Sequence, residues 1–134
     1  MTETEPIRVL VVDDQDLVRS GFKMILNTYD GIEIVGEAKT GAQAVEEAQR
    51  LKADVVLMDI QMPVMDGHQA TKAIRALEDR KLARVPIIAL SANAFAEDYK
   101  RSLEAGMDAH ISKPIRIEEL QETIRNVLER LYRE

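Results

Sequence analysis

The stretch Asp54-Val55-Val56-Leu57-Met58-Asp59-Ile60-Gln61-Met62-Pro63-Val64-Met65-Asp66-Gly67 decides the fold. An apolar run, Val55 to Met58, ends on a single acid. Pro63 and Gly67 then mark a tight loop, and a helical pattern follows. A run of this length without alternation reads as a strand buried on both faces, as in a parallel sheet. Open α/β sheets place their chemistry in the crevice beyond the carboxyl ends of their strands, which is where Asp59 would lie. Asp is also an ordinary cap or turn residue, so Asp59 alone decides nothing.

Upstream, Ile7 to Val12 is another strand, ending on the acid pair Asp13 and Asp14. The period then changes: Leu17, Val18, Gly21, Phe22, Ile25 and Leu26 form one helical face. Asp30 and Gly31 make a turn. Ile32 to Ala38 alternates as a second strand. Thr40 reads as a helix N-cap with Gln43 three residues on, a capping-box pattern, and Ala44, Val45, Ala48 and Leu51 give that helix its buried stripe.

Downstream, Asp66 caps a helix with Gln69 answering it, and Ala70, Ala73, Ile74 and Leu77 line its inner face. Glu78 to Arg84 reads as a charged, solvated helix end and loop. Pro86 opens a fourth strand, Ile87 to Leu90, which ends on Ser91. Ala96, Tyr99 and Leu103 mark a short helix stopped at Gly106. Met107 to Ile111 is a fifth strand, followed by Ser112, Lys113 and Pro114. The last helix carries the cleanest stripe: Ile117, Leu120, Ile124, Val127, Leu128 and Leu131. The pattern is (βα)5. Short connections favour a parallel sheet with right-handed crossovers and helices on both faces, a doubly wound α/β fold.

A chain of 134 residues suits a single domain, residues 1–134 with a core of about 7–131, and no further output domain is expected in it. Hydrophobic content of 46% and charged content of 31% fit a globular protein, and 4% aromatic content requires an aliphatic core. A formal charge of −6 argues against direct nucleic-acid binding. With no Cys, a disulfide framework and a thiolate metal site are excluded, which fits the cytoplasm. No run approaches a membrane span, and the acidic N-terminus is unlike a signal peptide.

In such a sheet Asp13 and Asp14, Asp59, Ser91 and Lys113 converge at one end from four places in the sequence. Each alone could be a cap or a surface charge; together they point to a site. Neighbouring carboxylates repel, by about 4 kcal/mol for a pair ~4 Å apart at an effective dielectric of ~20. A hard divalent cation relieves that, and oxygen-only ligands favour Mg2+ or Mn2+ over Zn2+. A carboxylate can also act as a nucleophile and form an aspartyl phosphate, with Lys and Ser meeting the phosphoryl oxygens.

The chain resembles a receiver domain of the response regulators of two-component phosphorelay systems. The resemblance runs from Ile7 to about Leu131. It is carried by Val11-Val12-Asp13-Asp14, Met58-Asp59, Met62-Pro63-Val64-Met65-Asp66-Gly67, Ala89-Leu90-Ser91-Ala92 and Ser112-Lys113-Pro114. It implies a flavodoxin-like sheet of strand order 2-1-3-4-5. It implies that Asp59 accepts phosphate from a phosphohistidine on a histidine kinase or histidine phosphotransfer protein. Asp13 and Asp14 would form the acidic metal site with Asp59, Asp14 as the direct ligand and Asp13 through water, and the backbone carbonyl of Gln61 would complete the protein's share. Ser91 and Lys113 would meet the phosphoryl group, and the Lys113–Pro114 bond would be cis. Ser91 and His110 would form the switch. Phosphorylation would shift the fourth and fifth strand–helix units and favour a homodimer through the fourth helix, fifth strand and fifth helix, with candidate pairs among Glu97, Asp98, Lys100, Arg101, Arg116 and Arg125. Such a domain assists its own phosphorylation and dephosphorylation without being a turnover enzyme.

Two features depart from the family's usual pattern. His110 stands where Tyr or Phe is common, and Arg116 stands where an Asp or Ser often caps the last helix. The first half, to about Gly67, is most similar to receivers attached to helix-turn-helix regulators. The second half, with Ala92-Asn93-Ala94-Phe95-Ala96-Glu97-Asp98 and Ala105-Gly106-Met107-Asp108-Ala109-His110, is most similar to receivers of hybrid histidine kinases, as in an engineered or recombined chain. Rival readings explain less. A haloacid-dehalogenase-like phosphatase, with Asp14-Gln15-Asp16-Leu17-Val18 as its nucleophile motif, leaves Asp59 without a role. A flavodoxin-like cofactor site lacks a phosphate loop after strand one. An unphosphorylated interaction module has no need of the complete set. The two His read as surface residues.

Overall fold

The computed structural model describes residues 6–28, 31–92, 96–113 and 115–133, with the backbone alone for 96–98 and 131–133. Strands β1 (Ile7–Val12), β2 (Ile32–Ala38), β3 (Val55–Asp59), β4 (Ile87–Ser91) and β5 (Ala109–Ser112) form a parallel sheet of order β2-β1-β3-β4-β5. Helices α1 (Asp16–Leu26), α2 (Gly41–Leu51), α3 (Gly67–Arg75), α4 (Arg80–Ala83), α5 (Ala96–Ala105) and α6 (Ile117–Arg133) connect and follow them. This is the doubly wound arrangement that the alternation of periods predicts, with the flavodoxin-like strand order that the resemblance implies.

Period two along the strands divides the core. Leu10, Val12, Val56, Met58, Ile87 and Ala89 pack on one face with Ala44 and Ala48 of α2 and Ala70 and Ile74 of α3. Val9, Val11, Val55, Leu57, Ile88, Leu90 and Ile111 pack on the other, with Phe22 and Leu26 of α1 and Leu120, Ile124, Val127 and Leu128 of α6. Every residue of β3 and β4 is buried, which is why those strands read as unbroken apolar runs.

Local chemistry sets the helix starts. Asp66 makes a full capping box with Gln69. At α2 the box is displaced: Thr40 Oγ1 accepts the Gln43 N–H, but the Gln43 side chain returns to the Lys39 N–H. The charged stretch after α3 is more ordered than its composition suggests. Asp79 caps the single-turn helix α4 by accepting the N–H groups of Lys81 and Leu82. Arg75 ties this segment down, donating to the carbonyls of Ala83, Val85 and Gly106 and pairing with Asp108 at 2.9 Å.

Helix α1 differs from its predicted face. Arg19, Phe22 and Leu26 are its buried residues, whereas Leu17 is 88% exposed and Ile25 50% exposed. Its apolar stripe is wider than the strip the sheet can cover, and Arg19 occupies part of that strip. Tyr99 and Leu103 of α5 are likewise half-exposed.

Candidate functional site

The site is built from strand ends. Asp13 extends the β1 ladder by one residue, its N–H donating to the Ala38 carbonyl. Its side chain is buried. Oδ1 accepts the Gln15 N–H at 2.9 Å, and Oδ2 lies 3.2 Å from Lys113 Nζ. Asp14, the next residue, is exposed. Asp59 ends β3 and is 4% exposed; its Oδ1 accepts the Gln61 N–H at 3.2 Å and lies 3.6 Å from Lys113 Nζ.

Carboxylate oxygens of Asp13, Asp14 and Asp59 lie within 4.8 Å of one another, and this is the one group of potential metal ligands among the described residues. Burial pushes the Asp59 carboxyl up to about 6. Lys113 and the Gln61 N–H pull it down, and the charges of Asp13 and Asp14 push it up again. The cluster carries more negative charge than Lys113 balances. Hard oxygen donors this close fit Mg2+ or Mn2+, which relieves such repulsion and keeps several waters.

Glycine is required beside Asp59. A Cβ on Gly67 would stand 2.5 Å from the Asp59 carbonyl oxygen and 2.7 Å from Ile60 Cα. Residue 67 can thus start α3 directly against the end of β3 only without a side chain. Between them the loop makes a three-residue turn, with Met65 N–H donating to the Pro63 carbonyl at 2.8 Å. Its middle residue, Val64, takes a φ of 68°, rare for a β-branched side chain, and is fully exposed.

Ser91 ends β4 and is fully buried. Its carbonyl accepts the Lys113 N–H at 2.7 Å, so the ends of β4 and β5 are directly linked. His110 lies on β5 beside Ala89, with its ring nitrogens shielded from solvent and its ring centroid 5.7 Å from that of Tyr99. His68 contacts Ser102 Oγ at 3.0 Å, bridging α3 to α5. Neither His is the plain surface residue that the sequence suggests, because α5 folds back over both. Pro114 lies outside the described residues, as do the side chains of Glu97 and Asp98. Arg116 Nη2 and Glu119 Oε2 are 3.9 Å apart, placing an acid beside the cation at the start of α6.

Sequence reading missed Arg19. Buried on α1, it donates to the Asp13 carbonyl at 2.6 Å and to Glu37 of β2 at 3.1 Å, and it pairs with Asp16. The available signal was spacing: Arg19, Phe22 and Leu26 share one face.

Comparison with known proteins agrees with this geometry. The response regulator receiver domain family model matches residues 9–125. The chain is 37% identical over 120 residues to the response regulator protein VraR of Staphylococcus saprophyticus, covering 90% of this chain and 56% of that protein, so it spans about half the relative's length. It is similar to the response regulator domain of Thermotoga maritima CheB, with TM-score 0.82, 36% identity and coverage of 93% of this chain and 98% of that one. It is also similar to the receiver domain of a Pseudomonas aeruginosa sensor histidine kinase solved with magnesium coordinated in its active-site cleft, with TM-score 0.81, 36% identity and coverage of 92% and 98%. With its acids gathered at the strand ends of a 2-1-3-4-5 sheet and a family match along most of its length, the chain belongs to the response regulator receiver domains.

Proposed function

We propose that this chain receives a phosphoryl group on Asp59 from a phosphohistidine of a histidine kinase or histidine phosphotransfer protein. The observation that carries the reading is the meeting of Asp13, Asp14 and Asp59 within 4.8 Å, with Lys113 between Asp13 and Asp59. An ionised Asp59 oxygen attacks phosphorus, the P–N bond breaks, and the electron pair stays on the departing imidazole nitrogen. The Lys113 ammonium and the Ser91 hydroxyl then meet phosphoryl oxygens as cation and donor. Mg2+, or Mn2+ in its place, would be held by Asp13 through water, Asp14, Asp59 and the Gln61 carbonyl, and supplies charge neutralisation to the phosphoryl oxygens.

The output of this reaction is conformational and not catalytic turnover. Ser91 and Lys113 are joined through the 2.7 Å backbone hydrogen bond, so a pull on either by the phosphoryl group reaches both β4 and β5. The units they belong to, with α5 and α6, form the element whose equilibrium phosphorylation shifts. That shift favours a homodimer through α5, β5 and α6, with candidate pairs among Glu97, Asp98, Lys100, Arg101, Arg116 and Arg125.

An apolar groove of about 450 Å³, lined by Leu17, Val18, Gly21, Ile25, Ile115 and Ile117 and by Lys113, which also contacts Asp13 and Asp59, supports a protein donor. No helix among the described residues is long and apolar enough to cross a membrane, and the reading places the exchange in the cytoplasm. Intact-mass measurement after incubation with acetyl phosphate and Mg2+ tests the assignment. One acid-labile phosphate is expected on the wild type and none on Asp59→Asn. Modification of Asp59→Asn at the wild-type rate would refute it.

A further inference from the structure

We propose that Arg19 is a positioning residue for the metal site, aiming Asp14 by fixing the Asp13–Asp14 peptide plane. The inference rests on the receiver reading, which makes Asp14 a direct ligand, and goes beyond it by assigning a residue outside the acid cluster. The carbonyl oxygen of Asp13 belongs to the peptide that joins Asp13 to Asp14. Arg19 Nη1 holds that oxygen at 2.6 Å, in a buried contact. The other parts of the guanidinium are held in turn: Nε donates to Glu37 Oε1 at 3.1 Å, and Nη2 pairs with Asp16. Lys23 Nζ holds the second Glu37 oxygen at 3.0 Å. Glu37 lies on β2, opposite Val11 of β1, so the fork is anchored to the sheet.

The Asp13 side chain is fixed independently. Its Oδ1 accepts the Gln15 N–H and its Oδ2 faces Lys113. Asp14 is exposed, and its direction is therefore set chiefly through its backbone. A peptide plane fixed at its carbonyl oxygen leaves that backbone little rotation. The planar fork matters here: a guanidinium can grip the Asp13 carbonyl, Glu37 and Asp16 together, whereas an ammonium cannot span them in one plane. Partners that orient metal ligands from behind commonly control affinity by tenfold to a hundredfold.

The sign of the effect separates positioning from charge. Acting only as a nearby cation, Arg19 would repel the metal, and its removal would tighten binding. Acting as a positioning residue, its removal weakens binding. The experiment measures Mn2+ dissociation constants by electron paramagnetic resonance, at a temperature where circular dichroism shows each protein folded. The proteins compared are wild type, Arg19→Ala, Arg19→Lys and Asp14→Ala, with melting temperatures recorded beside them.

Arg19→Ala should bind Mn2+ about tenfold or more weakly. Arg19→Lys, which keeps the charge and loses the fork, should also weaken binding; it carries the test if the alanine variant does not fold. Affinity within twofold of wild type, or tighter, in the folded Arg19 variants overturns the proposal however far their melting temperatures fall. If wild type binds and Asp14→Ala does not, that failure is confined to Arg19. If wild type binds no Mn2+, both this proposal and the metal-dependent receiver reading fall.

Discussion

Lys113 and Asp13 stand 100 residues apart in the chain, yet Lys113 Nζ and Asp13 Oδ2 are 3.2 Å apart at the tips of β5 and β1. The same ammonium is 3.6 Å from Asp59 Oδ1 and is the strongest influence holding the Asp59 carboxyl down against its burial. Lys113→Met should raise the Asp59 pKa further and remove a cation from the developing phosphoryl charge. Phosphorylation by acetyl phosphate should slow by about a hundredfold, as when one oxyanion donor is lost. Single-turnover rates for the two proteins at pH 7.5 check this; a Lys113→Met rate near that of wild type would remove the lysine from the reaction.

Asp59 also links stability to pH. Its folded pKa of about 6 lies above the ordinary value of 3.8, so between these limits the native state binds the extra proton. Stability from this group is therefore greatest below about pH 4 and is lost as pH rises through 6. Asp59→Asn mimics the protonated form. Without metal it should exceed wild type by roughly 2–3 kcal/mol at pH 7.5, and the gap should close on acidification. Mg2+ should raise the wild-type melting temperature at pH 7.5 and do so less below pH 6, where the proton competes for the same carboxylate. Denaturant titrations of both proteins from pH 4.5 to 8 supply the gap, and one that is flat with pH would refute the linkage.

The loop after β3 separates two kinds of backbone demand. At Gly67 space is the limit, since an added Cβ falls 2.5 Å from the Asp59 carbonyl oxygen. Gly67→Ala should cost about 2 kcal/mol, displace Asp59 and weaken Mg2+ binding. At Val64 conformation is the limit: the side chain is fully exposed and its φ is 68°. Val64→Asn should stabilise by about 1 kcal/mol, because Asn enters the left-handed region at lower cost. Chemical denaturation of both variants, with the wild-type m-value as reference, checks opposite signs at positions three apart.

These residues also show what a sequence exposes. Gly67 and Pro63 announce the loop, and the apolar run before Asp59 announces a strand buried on both faces, because each signal is local. The convergence of Asp13, Asp14, Asp59, Ser91 and Lys113 follows once the strands are parallel. The buried face of α1 did not follow. The predicted face is a wide arc of that helix, and periodicity cannot say which part of it meets the sheet. Arg19 counted as polar, although a long side chain can bury its stem while its head finds acceptors. Helix α4 is a single turn, too short for a periodic signal; its cap, Asp79, was its only mark.

His110 provides the last expectation. Its ring nitrogens are shielded from solvent, and its ring packs at a 34° tilt to that of Tyr99 on α5, so β5 and α5 meet through it. Ser91 lies next to it on the sheet, one strand over and two residues beyond its partner Ala89. An unperturbed imidazole changes charge near pH 6.5. Desolvation disfavours the charged form of a ring that packs inward. On the proposed switch, in which this ring packs inward as Ser91 shifts toward the phosphoryl group, protonation should oppose that packing, and acid should disfavour the activated form. Partner affinity of the chain carrying a beryllofluoride phosphoryl mimic should fall from pH 8 to pH 6 in wild type and change less in His110→Tyr, whose ring carries no charge in that range. Measuring both proteins with a partner whose own binding groups do not titrate between these limits isolates the residue. A fall of equal size in His110→Tyr would eliminate His110 as its source.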